Sequence, residues 1–159
     1  MTYAVVRIRG HVSLRPGIKD TLAYLRLHRT NHCVLLPKTP GVDGMLRKAR
    51  DYVTWGEIDP TTTAILLVRR ARVPGRKRID DAYVKAHSKY PSVNSLAKAL
   101  AGGDAKLGDI EGLKPVIRLH PPIGGFEATK RGFGEGGDLG YRGKEINALL
   151  VRMLGPEVA

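Results

Sequence analysis

Apolar and polar residues alternate at the start of the chain and then recur every three to four positions. In Tyr3–Arg9, Ala4, Val6 and Ile8 face one way while Tyr3, Val5, Arg7 and Arg9 face the other, the period of a half-buried strand with a basic outer face. Pro16-Gly17 precedes Ile18, Leu22 and Leu25, spaced as one helical face. Cys33-Val34-Leu35-Leu36 is a short apolar run stopped by Pro37 and reads as a covered strand. After Pro40-Gly41, Val42, Met45, Leu46 and Ala49 repeat helical spacing, with Arg47, Lys48 and Arg50 outside it. Tyr52–Ile58, rich in aromatic and β-branched residues, predicts a third strand. The order is β-α-β-α-β within residues 1–58. With both helices on one side of a small sheet, it predicts an open-faced α/β sandwich.

Residues 59–159 read as a mostly helical, loop-rich extension, so the chain as a whole is α+β. Asp59-Pro60 has the form of an N-cap followed by proline at the first helical position, opening a helix near Thr61–Ala71. Arg69–Arg78 then holds six bases and no acid. Asp80–His87 and Ser92–Leu100 predict short helices, the second with Val93, Leu96 and Leu100 on one face and a stop at Gly102-Gly103. Val116–His120 reads as a strand. Pro121–Gly143 is a loop with eight glycines in 23 residues, and Ile146, Leu149, Leu150 and Met153 mark a closing amphipathic helix. The loop and Arg69–Arg78 have few apolar anchors, so both are expected to be mobile without a partner.

Composition adds the partner class. The 159 residues are 42% hydrophobic, ordinary globular material, yet carry a net charge of +12. Such a field attracts a polyanion, nucleic acid or anionic lipid. Residues 1–58 hold ten bases and four acids and residues 59–159 seventeen and eleven, +6 each, so the excess is spread over folded segments. That distribution suits a protein partly enclosed by its partner. One cysteine, Cys33, permits no intrachain disulfide and no cysteine-based zinc site. No apolar stretch approaches a membrane span, and Met1–Arg7 becomes charged too soon for a signal peptide, so a soluble cytoplasmic protein is expected.

Catalytic and cofactor motifs do not hold up. Gly132-Phe133-Gly134-Glu135-Gly136-Gly137 matches a dinucleotide fingerprint formally, but no strand ends just before it, and Glu135 and Asp138 would oppose a phosphate. Gly140–Lys144 lacks the first P-loop glycine and the following Ser/Thr. His28 and His32 have ligand spacing, but Thr30-Asn31 favours a turn between them and no acid lies nearby. Asp80-Asp81 reads more simply as a cap than as a catalytic pair. Arg118–Gly125 is different. Two prolines stiffen it, and Arg118 and His120 share a strand face, which suits a segment laid along phosphates; a hairpin connection with incidental charge remains open.

Taken together, these segments resemble the large-ribosomal-subunit protein L thirty family in its long archaeal/eukaryotic branch, eukaryotic name L seven. The resemblance rests on Val6–Gly10, Thr21–Cys33, and Gly44-Met45-Leu46 leading to Asp51–Glu57, and continues in Arg118–Gly125 and Gly136–Gly140. It implies a ferredoxin-like β-α-β-α-β core over residues 1–58 and an archaeal/eukaryotic-type extension over 59–159. The implied role is structural: binding large-subunit ribosomal RNA, with no enzyme activity, cofactor, metal, membrane or small-molecule substrate. The 5S ribosomal RNA and neighbouring ribosomal proteins are further partner candidates. Asp43 stands where the family often has Arg, which removes a cationic contact there. Lack of a long basic N-terminal arm favours an archaeal-type member.

Recognition is expected to use shape and phosphate position, because A-form RNA hides its major-groove edges and aromatics are only 6% of the chain. Phe126, Phe133 and Tyr141 are the candidate stacking residues. The expected RNA contacts in the core are Arg7, Arg9, Arg15, Arg26, His28, Arg29, Asn31, His32, Lys38, Arg47 and Lys48. In the extension they are Arg118, His120, Lys130, Arg131 and Arg142. A free-standing nucleic-acid-binding regulator and an enzyme acting on RNA or a phosphorylated substrate are the alternatives from other classes.

Overall fold

The computed structural model describes residues 1–10 and 12–155; residues 156–159 of the expected extension lie outside the described residues. Strand β1 (Thr2–Arg7) is the centre of a five-stranded sheet. β2 (His32–Pro37) and β3 (Val53–Glu57) flank it, both antiparallel, with Val5 opposite Val34 and Trp55. β6 (Ile117–Arg118) is antiparallel on the outer edge of β2, and β7 (Gly140–Tyr141) is parallel on the outer edge of β3.

The two faces of the sheet bury different sets of residues. Tyr3, Val5, Val34 and Trp55 pack with Leu22 and Leu25 of the α1 region (helix Pro16–Tyr24) and with Val42 and Leu46 of α2 (Pro40–Lys48). Both early helices thus share one side, as the spacing predicted. The opposite side, with Ala4, Val6 and Cys33, is closed by α3 (Pro60–Arg70), α5 (Val93–Gly102) and α6 (Ile146–Arg152). The sandwich is therefore open-faced only as far as residue 58. Strand β1 is buried at every position rather than half-buried, because a central strand under two helical layers has no solvent face.

Local chemistry sets the helix ends. Asp59 Oδ1 accepts from Thr62 N–H at 2.6 Å with Pro60 at the first helical position, which starts α3. Gly103 takes φ 88° and stops α5. The Arg69–Arg78 stretch continues from α3 into a β-hairpin, β4 (Arg72–Val73) and β5 (Lys77–Arg78), around Pro74–Arg76. Buried Val73 and Ile79 tie it to the core, two apolar anchors whose effect composition alone understated. Helix α4 (Asp81–His87) follows. On the far edge, a Cβ on Gly56 would collide with the Gly143 carbonyl, so glycine there lets the segment after β7 lie directly on β3.

Candidate nucleic-acid interface

Helix α1 ends in a Schellman arrangement. Arg26 N–H donates to Ala23 O and Leu27 N–H to Leu22 O, both at 3.0 Å. The residue in the left-handed position is Arg26, φ 63°, where glycine would be unstrained. Asn31, φ 68°, makes the second left-handed turn; its N–H donates to Arg7 O at 2.8 Å, and its carbonyl accepts from Leu119 N–H at 3.1 Å. Between these bends His28 and Arg29 project outward, both exposed. His32 then pairs across β2–β6 with exposed Arg118.

Two polar atoms in this rim, Asn31 Oδ1 and His32 Nδ1, are buried without a hydrogen-bond partner among the described residues. Burial, ahead of the nearby Arg118, His28, Arg29 and Arg7 charges, pulls the His32 pKa below its ordinary 6.5. The imidazole is accordingly neutral at pH 7. Unfilled polar groups among cations fit a ligand that carries anionic oxygens together with hydroxyl groups, or its bridging waters.

Arg7 has a different place from the one its strand position predicted. It is 1% exposed, with Nε donating to Arg9 O at 2.8 Å and Nη1 to Leu27 O at 2.7 Å. It braces the Arg26–Asn31 loop from beneath because both faces of β1 are covered. Arg9 is half-buried, its guanidinium 5.1 Å from the Tyr52 ring centroid. Exposed Lys48 brings its Nζ to 3.4 Å from a Cβ position on Gly17, close in sequence to exposed Arg15, and exposed Arg47 precedes it on α2. Lys38 lies at the other end of β2, roughly 17 Å along the strand, and ion-pairs with Glu57 at 3.2 Å.

The extension divides in the same way. His120 is exposed beside Arg118, with its backbone N–H donating to Met153 O. Lys130 and Arg131 are exposed near β7, four strand spacings or roughly 19 Å from the β6 edge. Arg142, expected as a surface contact, is buried. Its Nη2 ion-pairs with Asp138 at 3.2 Å, its Nε donates to Thr54 Oγ1 at 2.8 Å, and its guanidinium lies 4.9 Å from the Phe133 ring centroid. Asp138 and Thr54 are the partners that sequence reasoning missed. The i,i+4 spacing of Asp138 and Arg142 was the available signal for one of them.

Aromatic exposure is confined to a few positions. Phe133 and Tyr141 are exposed and Phe126 is half-buried. The Tyr141 hydroxyl donates to the Glu57 carboxylate at 2.7 Å, which pushes the tyrosine pKa up to about 12. Burial pushes the Cys33 thiol up to about 12. Among the described residues no three His, Cys, Asp or Glu side chains are placed to hold a metal, and no helix is long and apolar enough to cross a membrane.

The fold is thus a two-sided α+β sandwich with Arg26, His28, Arg29 and Arg118 exposed at one end of its sheet. Residues 3–53 match the family model of ribosomal protein L30p/L7e. The chain is 53% identical over 152 residues to the large ribosomal subunit protein uL30 of Methanoregula boonei, covering 95% of this chain and 99% of that one. It is 49% identical over 151 residues to the uL30 of Methanocorpusculum labreanum, covering 95% and 99%. For the uL30 of Staphylothermus marinus the identity is 49% over 158 residues, covering 96% and 98%. The chain belongs to the ribosomal protein L30p/L7e family.

Proposed function

We propose that this chain is a structural constituent of the large ribosomal subunit, in the cytoplasm, which binds and stabilises folded large-subunit ribosomal RNA through phosphate and shape contacts. The observation that carries the reading is the rim at the start of β2. There the charges of Arg118, His28 and Arg29 lie close to His32, and Asn31 Oδ1 and His32 Nδ1 are buried with no hydrogen-bond partner among the described residues. Full-length similarity to proteins named for the large subunit supports it. Residues 1–58 supply most of this surface and act as the RNA-binding core. The 59–159 extension covers the back of the sheet and adds Arg118, His120, Lys130 and Arg131. Arg7 and Arg142 act from inside, holding the loops that carry the outward cations. The role needs no cofactor and no catalytic step; 5S ribosomal RNA and adjacent ribosomal proteins complete the set of proposed partners.

Crosslinking in intact ribosomes, with sequencing of the attached RNA, tests partner and surface together. Crosslinks from Arg29, His32 and Arg118 to one contiguous region of large-subunit RNA are the expected result. Crosslinks confined to other faces of the protein, or no co-sedimentation with large subunits, would overturn the reading.

A further inference from the structure

The β4–β5 hairpin carries a concentration of charge that no ion pair among the described residues neutralises. Its register places Arg72 opposite Arg78, a cross-strand pair of like charges that destabilises a hairpin standing alone; half-buried Arg72 donates from Nη1 to Arg69 O and Ala71 O at 3.1 and 3.0 Å. Arg76, Lys77 and Arg78 are exposed, and among the described residues none of the hairpin cations forms an ion pair. The acids that follow are engaged elsewhere. Asp80 Oδ1 accepts from Tyr83 N–H, capping α4, and Asp81 Oδ1 accepts from Val93 N–H. Arg76 also sits at φ 59°, a left-handed position that glycine or asparagine would occupy with less strain. A sequence that places arginine there, and two arginines face to face, has local stability working against it on two counts.

The hairpin is nonetheless firmly seated. Buried Val73 and Ile79 anchor it, and Arg72 O accepts from Lys114 N–H at 3.1 Å. Just before it, Arg70 at the end of α3 donates from Nε to Arg118 O at 2.9 Å, which ties the approach to the hairpin to the β6 edge. Arg69, Arg72 and Arg78 lie close enough to Arg70 to lower its pKa further, after burial.

We infer that the β4–β5 hairpin is a second RNA-contact element, with Arg72 and Arg78 clamping a backbone phosphate between them and Arg76 engaging the strand at the hairpin tip. This rests on the ribosomal-RNA reading above and extends it to residues outside the β2–β6 rim. A phosphate between opposed guanidinium groups turns their repulsion into two charge-assisted contacts. The strained, seated turn then presents those groups in a fixed geometry.

The test uses the full chain and protein-free, refolded large-subunit ribosomal RNA, with R72Q/R78Q, R76G and R29Q/R118Q as variants. For R72Q/R78Q, affinity at moderate salt should fall about tenfold, and the slope of log K against log salt should shrink by roughly 0.7–0.9, as for the loss of one neutralised phosphate. The free protein should melt near the parent temperature, the relieved repulsion offsetting the loss of the Arg72 hydrogen bonds to Arg69 O and Ala71 O. R76G should melt higher yet bind RNA more weakly; should R72Q/R78Q lose its cooperative melt, R76G decides. If R72Q/R78Q and R76G bind as the parent does while R29Q/R118Q weakens, the hairpin proposal fails and the rim reading stands. If the parent itself binds this RNA without salt dependence, both fall. Loss of binding to poly-glutamate alone, with RNA binding intact, would mark the hairpin as a site for an acidic protein and overturn the proposal.

Discussion

Arg118 and Arg142 belong to opposite edge regions of one sheet. At the β6 edge, exposed Arg118 lies across from a neutral histidine, next to Asn31, whose side-chain oxygen meets no donor among the described residues. At the β7 edge, Arg142 is enclosed by Asp138, Thr54 and the Phe133 ring. Two arginines that contribute equally to the net charge therefore do opposite work. One is exposed and, among the described residues, forms no ion pair. The other neutralises an internal acid and holds the glycine-rich loop against β3. Charge guides binding only after the internal pairs have been subtracted.

The contrast breaks most visibly at Arg142. Replacing it with leucine leaves the buried Asp138 carboxylate without its cation, and unfolding in urea should show a loss of about 3–5 kcal/mol. The RNA affinity of the remaining folded fraction should stay near that of the parent. A variant that folds normally but fails to bind RNA would instead place Arg142 in the interface.

Arg118→Leu should show the reverse pattern. Its stability should remain within about 0.5 kcal/mol of the parent, as for an exposed residue outside the core. Its RNA affinity should fall several-fold, and its salt slope should drop by nearly one phosphate contact. Filter binding across a salt series beside a urea titration separates the two effects.

The smallest expected effect concerns His32. Its folded pKa lies below the unfolded value of 6.5, so the folded state resists protonation while the unfolded state accepts it. The stabilisation from this group is complete above pH 6.5 and declines as pH falls from there toward the folded pKa. Urea midpoints at pH 7.5 and 5.5 should therefore differ more for the parent than for His32→Phe. Equal differences would mean that His32 is not the group held neutral in the rim.

The elements were legible in the sequence wherever period and punctuation agreed. The spacing of Ile18, Leu22 and Leu25 and the Asp59-Pro60 cap predicted helices that the structure contains within a residue or two. Strand β1 was found but its exposure was misjudged. Alternation in Tyr3–Arg9 describes two faces without saying what covers each, and the second cover comes from helices that lie between Pro60 and Arg152. The rim was legible in part. Arg26, His28, Arg29 and Asn31 are neighbours in sequence, so a turn was enough to group them. The opposed Arg72–Arg78 pair was hidden, because a run of bases does not disclose its register.

The +12 charge, the β-α-β-α-β order of the first 58 residues and the family motifs were determined by the sequence alone, since composition, short-range periodicity and local spacing carry them. Which cations face outward was decided by the tertiary structure. Arg142 meets Thr54 across 88 positions and Arg7 meets Leu27 across 20. Burial and pairing are long-range properties, so the order of bases along the chain does not by itself give the set of outward cations.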